Sequence, residues 1–303
     1  MHPAEHSPPS TFKSQDNCPL MPRRVDWPMP VHFPALRDTD VHLWRASLSD
    51  DALQREDYES IVSSDERQRA ARLKFEHLQH RFIIGRGILR KLLGHYLAIA
   101  PDRLQFTYGR YGKPALDTTQ HPIRLSFNVS HSHTMALFAF CRQGAIGVDI
   151  EHIGRSPDVL ALSQRFFTPR EHQFIRSSPS EQAVLNFFRL WTCKEAYLKA
   201  TGEGLSGLQT VEVDCPFNPT DDTIRFLQCS TTARDAGSYA WEAAQCWPDT
   251  EYVGAIALGS IETGTVAIKR MGKPSPQRLS SVPTLDTLQT FTYPPTGDIR
   301  LNQ

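Results

Sequence analysis

The sequence predicts an α+β fold built from two similar halves. The order strand, short helix, long amphipathic helix, strands runs once between residues 37 and 143 and again between 144 and 262, with no sequence identity visible between the two runs. A Pro-rich arm over 1–36 and a Ser/Thr/Pro-rich stretch over 263–303 flank them. At 303 residues the chain is long enough to bury a sizeable core.

Each element has a local reason. "DVHLWRASLS" carries apolar Val41, Leu43, Ala46 and Leu48 and reads as a strand. "SSDERQRAARL" is a charged helix with Ser63 or Ser64 as N-cap. From His77 to about Leu97 the apolar residues Leu78, Phe82, Leu89, Leu92, Leu93 and Tyr96 recur at helical spacing. "LQFTYGRYGKPAL" and "LSFNVSHSHTMALFAF" follow as strand-like pieces. The second half opens with the strand "GAIGVDIEHI". In "TPREHQFIRSS" Thr168 is a fitting N-cap, Pro169 sits at the first helical position and Glu171 completes a capping box. The helix "SEQAVLNFFRLWTCKEAYLKATGEG" ends in glycines, and "TVEVDC", "SYAWEAA" and "YVGAIAL" close the half as strands. Eight prolines in residues 1–36 forbid regular helix or central strand there, leaving an extended arm that packs near Trp27 to Phe33; the stretch from about Gly264 reads as a mobile tail.

Composition excludes several classes. A hydrophobic content of 40% with 22% charged residues is that of a soluble globular protein. Zero formal net charge supplies no global field for nucleic acid or an anionic membrane, and apolar runs such as "MALFAF" are too short to span a bilayer. The first residues lack the apolar core of a signal peptide. Six scattered cysteines without a CxxC pair suit reduced thiols, so a cytoplasmic location is expected.

The chemistry gathers in "AIGVDIEHIG". Alternation along a strand puts Asp149 and Glu151 on one face, with Cβ atoms roughly 6.5–7 Å apart, where a short Asp and a longer Glu can converge on one hard cation. For the pair alone, an edge strand with both acids in water is the bland alternative. A third acid lies in the long second helix, where Trp191, Glu195 and Lys199 fall at i, i+4 and i+8 and form one stripe drifting about 40° per step. An acid and a lysine four apart are commonly a surface pair, but a stripe that begins with Trp borders a partly buried cleft. Asp149, Glu151 and Glu195 together suit Mg²⁺, which takes oxygen ligands and keeps several waters. The first half supplies anion binders: Lys113 between Gly112 and Pro114, Ser130 and His131 in "FNVSHSH", and Arg81, Arg86 and Arg90 on the long helix, at least one of which belongs to a solvated face. His131 and His133 lack a third soft ligand for zinc. "GEGLSG" matches G-x-G-x-x-G but follows a helix instead of opening one, so Gly202 and Gly204 are read as a helix end.

Taken together and in order, "YGKP", "FNVSHS", "IGVDIE" and "LWTCKEAYLKATGEGL" resemble the 4′-phosphopantetheinyl transferases of the Sfp type, over about residues 40–260. The resemblance implies a pseudo-twofold pair of α+β subdomains with the active site between them, and transfer of the phosphopantetheine arm of coenzyme A to a serine of an apo carrier protein, leaving adenosine 3′,5′-bisphosphate. By motif, Asp149, Glu151 and Glu195 would hold Mg²⁺, Lys199 would contact phosphate, Lys113 would lie beside the nucleotide, and Ser130 with His131 would grip phosphate groups, His131 the 3′-phosphate. Arg67, Arg69, Arg72, Arg81 and Arg86 are the further cations available to coenzyme A. Glu195 is the expected base for the serine, directly or through a metal-bound water. Two fused halves complete one site, so a monomer is expected. The carrier is expected to dock after Glu151, near Phe166 and Phe167, unless those rings are core. Two rivals stay open: another Mg²⁺-dependent pyrophosphate-cleaving enzyme, and a carrier-binding module without turnover.

Overall fold

The computed structural model describes residues 27, 30, 32–49, 55–109, 112–121, 124–154, 157–217, 223–229, 239–261 and 288–293. The first half runs β1 (Val41–Ser47), α1 (Glu56–Glu59), α2 (Ser64–Ala71), α3 (Glu76–Leu97), the short hairpin β2 (Phe106–Tyr108) and β3 (Pro114–Leu116), then β4 (Ser126–Ser132) and β5 (Met135–Cys141). The second runs β6 (Ala145–His152), α4 (Val159–Phe166), α5 (Pro169–Ser177), α6 (Ser180–Thr201), β7 (Glu212–Val213), β8 (Thr223–Ile224), β9 (Phe226–Gln228), β10 (Tyr239–Asp249) and β11 (Tyr252–Ile261). β12 (Leu288–Tyr293) follows.

The doubling read from the sequence is visible in the strand order. The first sheet is β12-β1-β5-β4 and the second β6-β11-β10-β8, so in each half the opening strand pairs antiparallel with the last strand of the closing hairpin. Side-chain alternation stacks these sheets between the two long helices. In β1 and β5, Trp44, Ala46, Phe138 and Phe140 face α3, while Leu43, Leu137 and Ala139 face the second sheet. There they meet Ile146, Val148 and Ile150 of β6 and Ile256 of β11. The opposite face of the second sheet, with Val253, Ala255 and Ala257, packs on α6. No helix among the described residues is long and apolar enough to cross a membrane.

Local signals act as expected at most boundaries. Ser63, not Ser64, caps α2 and forms a capping box with Glu66. Thr168 and Glu171 form the box that starts α5, and Gly202 ends α6 in the left-handed region at φ 80°. Trp27 is buried between the sheets and donates from Nε1 to the Trp247 carbonyl at 2.9 Å. Phe33 stacks on Trp44 at 5.2 Å, so the end of the arm does pack; residues 1–26 lie outside the described residues.

Three readings need correction. Part of the stretch expected to be a mobile tail is a strand: residues 288–293 pair antiparallel with β1, from Val41↔Tyr293 to Ala46↔Leu288. "LQTFTY" is rich in aromatic and β-branched residues, and its pairing covers the outer edge of β1. "TVEVDC" yields only the two-residue β7, beside a register shift. Helix α4 lies in a segment for which no element was read, started by Asp158 Oδ1 accepting from Ala161 N at 3.0 Å.

Helix α6 lies directly on β6 because Gly147 has no side chain. A Cβ there would run into the backbone carbonyl of Ala196 and the amide of Ala200. Gly147→Ala is expected to cost at least the roughly 1–3 kcal/mol of an overpacked core, measured as a fall in urea midpoint. An unchanged midpoint would show that α6 can lift away without loss.

Candidate functional site

The close approach at Gly147 positions the acids further along the strand. Asp149 and Glu151 share its face and are carried under α6, beside Glu195 and Lys199. The Lys199 ammonium lies 2.5 Å from Asp149 Oδ1 and donates to Ser130 Oγ at 2.8 Å; Ser130 in turn donates to Asp149 Oδ1 at 2.9 Å. Ser132 Oγ donates to Glu151 Oε2 at 2.9 Å. The acids therefore stand where the polar face of β4 meets β6 and α6.

Their electrostatics follow from crowding. Burial, with the charge of Asp149 second, raises the Glu151 carboxyl above its usual range. Burial first, then Asp149 and Glu151, pushes Glu195 from 4.5 up to about 7 against the pull of Lys199. Among the described residues no three His, Cys, Asp or Glu side chains form a ready cage for an ion. The donor set nonetheless fits one. Asp149 Oδ2 and Glu195 Oε1 are buried without a hydrogen-bond partner, and unpartnered carboxylate oxygens in an all-oxygen cluster suit a hard divalent cation.

The raised Glu195 carboxyl has a measurable consequence. Between about pH 4.5 and 7 the folded chain holds a proton that the unfolded chain has released. That contribution to stability is complete below the unfolded value of 4.5 and is lost as pH rises through about 7. In chelator, the melting temperature of the native chain should fall relative to Glu195→Gln across this window; parallel profiles would mean that Glu195 does not titrate there.

A cavity of about 880 Å³ opens beside the acids, between α3, the β2–β3 hairpin, β4 and the end of α6. Glu195 and Lys199 line it from one side, Arg81, Arg86 and His131 from the other, and Leu48, Phe82, Leu89 and Leu198 form apolar wall. His131 keeps an exposed edge at the cleft, and partial desolvation there, then Lys199, Arg86 and Arg81, lower the basicity of its ring. Arg86 lies 3.9 Å from Glu66 Oε1.

Several expected residues are elsewhere or act differently. Arg90 is a core group: its Nε donates to Glu66 Oε2 at 2.7 Å and its Nη1 to the carbonyls of Pro101 and Leu104. Lys113 lines the cavity, but its ammonium donates to the Lys199 carbonyl at 2.5 Å, with a longer contact to the Ile146 carbonyl, and burial lowers its pKa to about 8. Arg67 donates to the carbonyls of Val62 and Glu59, and Arg69 stacks over the Tyr108 ring at 3.5 Å. Trp191 does not border the cleft; it packs against Phe166, Phe167 and Phe187. A drift of about 40° per step turns it away within two steps. The same cluster makes Phe167 core, only 4% exposed, and leaves Phe166 half-buried, so the pair offers no open docking patch. His131 and His133 do not converge, since His133 sits in the β4–β5 turn stacked on His152. The reading missed Asn128 and Ser132, although their i, i+2, i+4 spacing with Ser130 marks one polar strand face opposite the acids.

Comparison with known proteins agrees with both halves. Residues 145–257 match the family described as the 4′-phosphopantetheinyl transferase superfamily, and residues 44–143 match the family described as 4′-phosphopantetheinyl transferase, N-terminal. The chain is 40% identical over 231 residues to the 4′-phosphopantetheinyl transferase HetI of Nostoc sp. strain PCC 7120, covering 76% of this chain and 92% of HetI. It is 34% identical over 151 residues to the 4′-phosphopantetheinyl transferase psf-1 of Bacillus pumilus, covering 50% of this chain and 62% of that protein. Over 151 residues it is 28% identical to the 4′-phosphopantetheinyl transferase Sfp of Bacillus subtilis strain 168, covering 50% and 65%.

Proposed function

Because the chain belongs to the Sfp-type 4′-phosphopantetheinyl transferases, we propose that it moves the phosphopantetheine group of coenzyme A onto a serine of an apo carrier protein, with Mg²⁺ at Asp149, Glu151 and Glu195. The observation that carries this reading is one cavity lined by Arg81, Arg86, His131, Lys199 and Glu195, with Glu195 Oε1 and the nearby Asp149 Oδ2 left unpartnered. A polyanionic ligand suits the cations and a hard ion suits the acids.

The residues divide the work. Arg81, Arg86 and His131 offset the phosphates of coenzyme A, His131 and Arg81 toward the 3′-phosphate, and Lys113 fixes the hairpin beside the nucleotide. Ser130 and Lys199 hold the end where the pyrophosphate and the acids meet. Glu195, which lines the cavity beside Lys199, takes the proton of the incoming serine hydroxyl. The serine oxygen forms the new bond to the phosphorus of the phosphopantetheine phosphate. The bond from that phosphorus to the bridging oxygen breaks, and adenosine 3′,5′-bisphosphate leaves with the electron pair. Lys199 lies where negative charge grows on the leaving group. Mg²⁺, when bound, supplies further charge neutralisation for the pyrophosphate. The two halves complete one site, so we expect the chain to act as a cytoplasmic monomer, without nucleic acid or membrane.

The test is to incubate the protein with coenzyme A, Mg²⁺ and apo carrier proteins and to weigh the carriers. The expected result is a gain of one phosphopantetheine group, abolished by chelator. No gain across fatty-acid, polyketide and nonribosomal-peptide carriers would overturn the proposal.

A further inference from the structure

We propose that Ser132 is a positioning residue: its hydroxyl, from the first half, holds the Glu151 carboxylate of the second half in the orientation in which it faces a divalent ion. The inference rests on the metal site proposed above and assigns a role to a residue outside it.

The hydrogen bonds leave the hydroxyl no freedom. Ser132 Oγ lies 3.1 Å from the His152 amide and 2.9 Å from Glu151 Oε2. A backbone N–H can only donate, so the serine oxygen accepts there and its single proton goes to the carboxylate. One oxygen of Glu151 is thereby held, and the other is left to a ligand.

The neighbours on β4 repeat the arrangement. Asn128 Oδ1 accepts from the Val148 amide at 2.9 Å, and Ser130 Oγ donates to Asp149 Oδ1 at 2.9 Å. Three alternate residues of one strand thus address three successive points along β6, two of them on the outward-facing amides of its free edge. β4 and β6 are edge strands of different sheets, so these side chains do what a backbone ladder would otherwise do: they fix the register between the halves. Ser132 is the rung at the Glu151 end.

Orientation matters here because Asp149 and Glu151 share a face and repel. The Ser132 hydroxyl holds Glu151 Oε2 at 2.9 Å against that repulsion. Without it, the carboxylate is free to swing away from Asp149. Carboxylates that bind metals depend on such outer partners, whose removal costs about 10–100-fold in metal affinity.

The experiment measures Mn²⁺ binding by electron paramagnetic resonance, on the full chain with coenzyme A present, for the native protein, Ser132→Ala and Ser132→Thr. Ser132→Ala is expected to raise the Mn²⁺ dissociation constant about 10–100-fold and to raise in step the metal concentration for half-maximal transfer, with kcat at saturating metal little changed. Ser132→Thr, which keeps the hydroxyl, is expected to restore native affinity. Melting temperatures in chelator show whether each variant is folded. If the native chain binds Mn²⁺ and Ser132→Ala binds it equally well, this proposal falls while the metal site stands, and a loss of melting temperature without a loss of affinity has the same meaning. If the native chain binds no Mn²⁺, both fall.

Discussion

Glu195→Ala is expected to lower transfer by about 10²–10⁴-fold, the contribution of a positioned general acid or base, while leaving the metal-free fold at least as stable as before. The two halves of this expectation have different causes. Transfer falls because the lining carboxyl proposed to take the serine proton is gone. Stability holds because that carboxyl has a buried oxygen without a hydrogen-bond partner and stands beside Asp149 and Glu151, so its removal relieves repulsion. Initial rates by carrier mass and melting in chelator measure both. Full rate in the variant would remove Glu195 from the chemistry, and a collapsed fold would make it a structural residue.

The largest loss of stability is expected at Glu171→Gln. Glu171 is fully buried and accepts from Lys194 Nζ at 2.5 Å, Thr168 N at 2.9 Å and Val213 N at 2.9 Å. It ties the start of α5, the middle of α6 and β7 together. Burial lowers the Lys194 pKa, and Glu171 is the first group opposing that. An amide keeps most of the shape but leaves Lys194 with no close counter-charge in the core. Breaking a buried pair in this way costs about 3–5 kcal/mol. The double variant Glu171→Gln/Lys194→Met, which removes the orphaned charge, should recover part of the loss in urea denaturation. A single variant as stable as the native chain would show that Lys194 simply gives up its proton.

These residues show how far the sequence could be read. The two halves were legible because hydrophobic period and helix-capping chemistry are local: Thr168, Pro169 and Glu171 announce α5, and alternation announces β6. The three acids and Lys199 were legible because strand and helix periods state which side chains share a face. What local period cannot state is what lies opposite. Arg86 and Arg90 share a helix face, yet one lines a cavity and the other is spent on Glu66 and two carbonyls. Trp191 reads as the lip of a cleft because a tryptophan seldom stays in water, but the water is excluded by an aromatic cluster into which the drift carries it. Strand β12 was missed because its partner lies about 250 positions away in the chain.

Lys113 has a practical consequence of its own. It sits on the hairpin of one half, and its ammonium reaches a carbonyl in the last turn of the long helix of the other, where a cation is also favoured by the helix dipole. Grafting experiments that exchange halves between relatives should therefore carry this lysine and that helix end as a matched set. A chimera that separates them would inherit a loose loop at the mouth of the cavity and a frayed helix tip behind Glu195.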